Sequence, residues 1–126
     1  MHYPLSEIID RLSILMLKHD RLPYDEKLNL EVVRFTDAAY SFLRDVSHVT
    51  LHKWLETQKT INGKIWDIEA SLRQDVSDVG IGLEEIGRQA IAIRNLNRER
   101  IALKNKIARS MHEYEEVKVD HLSEAV

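Results

Sequence analysis

Apolar residues recur at intervals of three and four along nearly the whole chain, and that period is the period of an α-helix face. The clearest run is Leu51, Trp54, Leu55, Gln58, Ile61, Ile65, Ile68, Leu72 and Val76. A second is Leu28, Val32, Phe35, Ala39, Phe42 and Val46, and a third is Ile86, Ala90, Ile93, Leu96, Leu103, Ile107, Met111 and Tyr114. Near the start, Leu5, Ile8, Ile9, Leu12, Leu15 and Met16 share one broad face, while Ile14 and Leu17 lie on the other side. A helix that is apolar on two sides is expected to be central or covered by a partner chain.

Punctuation is sparse. The 126 residues include 4 Gly and 2 Pro, too few for the frequent turns of an all-β chain. Pro4 opens the first helix, with Ser6 as a candidate N-cap, and Pro23 forbids continuation beyond about Leu22. Asp25 is placed to cap the second helix, which the apolar period extends to about Val46. Ser47 or Thr50 caps the third, expected over Leu51 to Val76, with Gly63 inside it at a cost of about 1 kcal/mol relative to Ala. Asp78-Val-Gly-Ile-Gly82 is the clearest loop, and the fourth helix is expected from Leu83 to Tyr114. The expected fold is all-α and four-helix bundle-like, dominated by a long antiparallel hairpin of helices 3 and 4. It is a single domain over residues 1–126, with 116–126 as a frayed tail.

The absence of Cys excludes disulfides, thiolate metal sites and a cysteine nucleophile. No apolar run approaches the ~18 residues of a membrane span, and the N-terminus lacks the pattern of a signal peptide. A cytoplasmic location without membrane contact is the expectation. The net charge of −3 is unevenly spread: Arg88 to Arg109 carries seven bases against Glu99 alone, whereas the residues from Glu113 onward sum to −4. The basic helix is read first as a solvated face that the acidic tail partly neutralises. Nucleic acid is not an expected partner, because Tyr114 is the only aromatic on that helix.

Helix lengths bear on assembly. The fourth helix would be roughly 48 Å long and the first roughly 25 Å. The surplus stripe needs burial elsewhere, so the chain is expected to be a homo-oligomer, a dimer in the first instance.

Several polar residues fall where apolar ones belong. On the third helix, Glu69 and Asn62 lie inside or beside the apolar arc, with Trp66 at its border. On the fourth, Arg100 lies within the arc, and Lys104 and Asn97 border it. An isolated buried charge costs several kcal/mol, so these groups must be paired, hydrated or bound to something. Two readings follow: a Glu69–Arg100 bridge that fixes helix register, or a pocket between helices 3 and 4 for a polar or anionic ligand. Asp10 and Lys18, on the second face of the first helix, each pair with another helix or meet solvent.

Three segments resemble small all-helical bacterial and phage families of unknown function. Leu5-Ser-Glu-Ile-Ile-Asp-Arg-Leu-Ser-Ile-Leu-Met-Leu-Lys18 is similar to their opening Glu-Leu-x-Asp-Lys-Leu-[Ser/Thr]-Ile-Leu-x-x-Lys. Asn62-Gly-Lys-Ile-Trp-Asp-Ile-Glu69, with Arg73, resembles their Asn-x-x-[Leu/Ile]-Trp-x-x-Glu-Asp-x-[Ile/Leu]-Arg, and Asn97, Arg100 and Lys104 match Asn-x-x-Arg-x-x-x-Lys. Arg11 stands where those families have Lys, and Ala70 where they often have Asp. The resemblance implies an all-helical fold and no established activity.

Other chemistry finds little support. His48 and His52 are four apart and could share a metal, but further ligands are not evident; His19 reads as a core-edge imidazole. Neither a phosphate loop nor a nucleophile elbow occurs, and no cofactor is expected. The expected function is non-enzymatic binding of a small anionic ligand, a nucleotide or sugar phosphate. Arg100 and Lys104 would contact phosphate, and Asn62, Asn97 and Glu69 would set polarity and orientation. Trp66 could stack on a base or sugar or instead serve packing or a dimer interface, and Arg73 joins the candidate ligand-binding residues through the resemblance. The alternatives are a structural or adaptor module and a metal-dependent nucleotide hydrolase.

Overall fold

A computed structural model describes residues 2–77 and 82–113 as four helices: α1 (Leu5–Arg21), α2 (Glu26–Tyr40), α3 (His48–Ser77) and α4 (Leu83–Ser110). The long helices α3 and α4 pack against each other, and α1 lies against all three others. This is the all-α bundle with a dominant hairpin that the apolar period predicts. The two-sided character of α1 has its explanation in the same arrangement. Leu5, Ile8, Ile9 and Leu12 are buried where Phe35 and Ala39 of α2, Leu51, Trp54 and Leu55 of α3, and Ile107 of α4 converge. Among the described residues, no helix is long and apolar enough to cross a membrane.

The ends of the helices differ from the sequence expectation in physically transparent ways. Ser6 is not the cap of α1: the N-cap is Pro4, which offers no side-chain oxygen. The free N–H groups of Leu5 and Ser6 instead donate to the Glu113 carboxylate at 2.9 and 3.3 Å, and the Ser6 hydroxyl donates to it at 2.6 Å. A carboxylate from the far end of the chain thus satisfies the positive end of the α1 dipole. Asp25 does cap α2, accepting from the Lys27 N–H.

Helix α2 stops at Tyr40, short of Val46. The Ser41 hydroxyl donates to the Ala38 carbonyl at 2.6 Å, and the following backbone bonds, such as Phe42 N–H to Ala39 O, tighten to the three-residue spacing. Phe42 and Val46 still pack on the core, so the apolar period outlasts the helix that it suggested. Helix α3 begins at His48, earlier than expected, because Ser47 is its cap: the Thr50 N–H donates to the Ser47 hydroxyl at 3.1 Å.

Gly63 lets α1 approach α3 closely. A Cβ there would lie 3.3 Å from the Arg21 guanidinium and 3.5 Å from Leu17. Arg21 bonds Asp67 at 2.7 Å and Lys59 bonds Asp20 at 2.8 Å, which ties the C-terminal end of α1 to α3.

The C-terminal end of α4 closes in a Schellman turn. His112 is left-handed (φ 57°), the Glu113 N–H donates to the Ala108 carbonyl at 2.7 Å, and the His112 N–H donates to Arg109 at 3.3 Å. This turn aims Glu113 at α1. A glycine would hold the same conformation without Cβ strain, although it also loosens the unfolded chain. His112→Gly should therefore raise stability by about 0.5–1 kcal/mol, read as a higher urea midpoint at unchanged slope. Expected positions beyond Glu113, including Tyr114 and the tail, and the loop core at 78–81 lie outside the described residues.

Candidate functional site

The polar centre of the molecule is Asp10 of α1, which is 1% exposed. One oxygen, Oδ1, accepts from Gln58 Nε2 at 3.1 Å, Asn62 Nδ2 at 3.0 Å and Arg100 Nε at 2.8 Å. The other, Oδ2, accepts from Arg100 Nη2 at 2.6 Å, so Arg100 grips the carboxylate with two nitrogens. Asn62 Nδ2 also donates to the Ser13 hydroxyl at 2.8 Å, and that hydroxyl donates to the Asp10 carbonyl at 2.7 Å. Three helices are locked in register by one carboxylate. Gln58 Nε2 also reaches the Arg100 carbonyl at 3.4 Å, while its buried Oε1 has no hydrogen-bond partner.

Burial pushes the Asp10 carboxyl up, but the hydrogen bonds from Arg100 and Asn62 and the charges of Arg100 and Lys104 outweigh it and hold the group below the usual aspartate range. Next to it lies a second, more exposed group. Lys104 bonds Glu7 at 2.9 Å and Arg11 bonds Glu7 at 3.0 Å. Burial opposes ionisation of Glu7, yet these two bases hold its carboxyl low.

The bridge between Glu69 and Arg100 envisaged from the sequence does not form. Arg100 takes Asp10 instead, and Glu69 is exposed. Asp10 pairs with other helices, as anticipated, whereas His19 is an exposed side chain beside Asp20 rather than a core-edge imidazole.

Above the network, between α1, α3 and the Arg100 side chain, a cleft of about 300 Å³ opens. Ile14, Leu17 and Ile65 line it together with the polar side chains of Asn62, Trp66, Glu69, Arg73 and Arg100. Five of the seven candidate residues therefore share one cleft. Lys104 sits away from it against Glu7, and Asn97 is half-buried on α4 without lining it. Trp66 carries the Arg21 guanidinium 5.5 Å above its ring. Sequence reasoning did not single out Gln58 and Ser13 as polar partners. Their signal was a polar residue on an apolar stripe, which both display.

The His48 and His52 rings are 4.3 Å apart and share a cluster with Tyr40, whose hydroxyl is 3.1 Å from His52 Nε2. Among the described residues no three carboxylate or imidazole side chains come together to hold a metal ion. Compared with family models, curated proteins and solved structures, the chain matches none.

Proposed function

We propose that this protein binds a small anionic ligand, of the class of a nucleotide or sugar phosphate, in the cleft between α1, α3 and α4. The observation that carries this reading is the convergence of an indole, two guanidinium groups, a carboxylate and an amide on one cleft with apolar walls. The flat part of the ligand stacks on Trp66. Its phosphate lies toward Arg73 and the partly exposed side of Arg100, and Glu69 accepts from hydroxyls. The nitrogen of Asn62 is committed to Asp10 and Ser13, so this residue serves by holding the wall in place. Lys104 and Asn97 take no direct part. Asn62, Trp66, Glu69, Arg73 and Arg100 are among the residues that carry the resemblance to the small helical families, together with Asp10, Lys18, Asn97 and Lys104 outside the cleft.

The test is titration calorimetry and thermal shift against a panel of nucleotides and sugar phosphates. Arg73→Ala should weaken binding about 10- to 100-fold, the worth of a charged hydrogen bond, and shift stability by no more than about 0.5–1 kcal/mol, as for an exposed side chain. A panel that produces no shift at millimolar concentration overturns the reading. One observation favours a second reading, a structural or adaptor module: the Asp10 network is closed on itself and fixes the register of three helices without a ligand.

A further inference from the structure

One face of the hairpin changes character along its length. On α4, Arg100 and Lys104 meet Asp10 and Glu7 of α1, so this stripe faces α1. Continued toward the hairpin tip in steps of three and four, the same stripe reads Asn97, Ile93, Ala90 and Ile86. On α3 the corresponding stripe passes from Asn62, which bonds α1, to Trp66, Glu69 and Arg73. Helix α1 ends at Arg21, against Asp67, and covers neither stripe beyond that point. The buried core ends with it: among the described residues it includes no α3 residue past Ile65 and no α4 residue before Ile107. Ala90 is exposed, and Ile86 and Ile93 are only half-buried. Two helices cannot enclose a stripe that a third helix covers lower down.

Charge identifies what covers it. Residues 82–88, at the start of α4, hold Glu84 and Glu85 against Arg88, a net −1. Residues 89–109, on the shaft of α4, hold Arg94, Arg98, Lys106 and Arg109 against Glu99, a net +3 apart from Arg100 and Lys104, which meet Asp10 and Glu7. Laid antiparallel, two copies of this hairpin bring each acidic tip over the other's basic shaft. A parallel pairing would stack like on like. We propose that two copies of this chain pair antiparallel through the Ile86, Ala90 and Ile93 face, making a four-helix interface beyond the end of α1. The contact is isologous, so each protomer's tip reaches toward the other's Arg94 and Arg98.

The experiment is sedimentation equilibrium on the full chain. The wild type should show about twice the 14.7 kDa of one chain at micromolar concentration. Ala90→Glu should return it to the single-chain mass with helical circular dichroism retained, because Ala90 is exposed within one chain. Glu84→Lys with Glu85→Lys should raise the dimer dissociation constant at least about tenfold in low salt, as should Arg94→Glu with Arg98→Glu, whereas an equimolar mixture of the two charge-reversed chains should recover pairing, because each tip then meets a shaft of opposite sign. Uniting all four substitutions in one chain should restore pairing. This set decides the matter independently of whether the Ala90 variant folds. A single-chain mass for the wild type at 100 µM, a dimer indifferent to Ala90→Glu, or a fourfold variant that stays monomeric overturns the proposal.

Discussion

Arg100→Ala is expected to cost about 3–5 kcal/mol at pH 7, the largest loss from any single polar residue in this fold. The Asp10 side chain is 2% exposed and would keep its charge without a counter-ion. Removing Asp10 instead should cost toward the lower end of the same range. Arg100 is 31% exposed and can turn to water, although the Gln58 and Asn62 donors would be stranded. The two cases separate by pH. In the wild type the folded Asp10 lies below its unfolded value of roughly 3.9, so its contribution is complete above about pH 4 and is lost as pH falls through the folded value. Glu7, also held low, adds to the same acid loss. In Arg100→Ala, burial without the guanidinium should raise the carboxyl above its unfolded value. The sign then reverses, and the variant loses stability as pH rises toward neutrality. Urea midpoints at pH 5 and pH 7 check this: the gap between variant and wild type should widen at pH 7. A gap independent of pH would mean that Asp10 reaches water once Arg100 is gone. Replacing the pair together, Asp10→Leu with Arg100→Met, should recover most of the loss.

Leu12→Ala should cost about 2–5 kcal/mol, because Leu12 is 1% exposed at the point where four helices converge and the cavity cannot collapse from any one side. Ile91→Ala, on the distal arm and 51% exposed, should cost less than about 0.5–1 kcal/mol in the single chain. Chemical denaturation of both variants measures how strongly stability concentrates below the end of α1. Equal losses would show that the distal hairpin is as tightly packed as the base.

The helices were legible because the signal for them is local. Apolar spacing marks the faces, Asp25 and Ser47 mark two starts, and Pro23 marks one end. The excess of polar groups on the inner faces was legible for the same reason: the positions of Asn62 and Arg100 relative to their neighbours follow from helix geometry alone. That Arg100 needs a partner follows from the cost of burying charge. Its partner was not legible. Glu69 lies on the neighbouring helix at nearly the right angle around its axis but too far along it, and the hairpin register places Arg100 near Asn62 instead. Asp10 arrives from a helix 90 residues away, and Glu113 reaches the start of α1 from 107 and 108 residues away.

The sequence by itself therefore determined that this chain is built of four helices and that its inner polar residues need partners. Periodicity and desolvation depend only on a residue and its near neighbours. The tertiary structure alone decided that Asp10 is the hub, that Glu113 caps α1 and that Trp66, Glu69, Arg73 and Arg100 line one cleft. Those outcomes depend on how α1 crosses the hairpin and where it stops. Crossing is set by the summed packing of many side chains and by the close approach at Gly63, which no short stretch of sequence encodes.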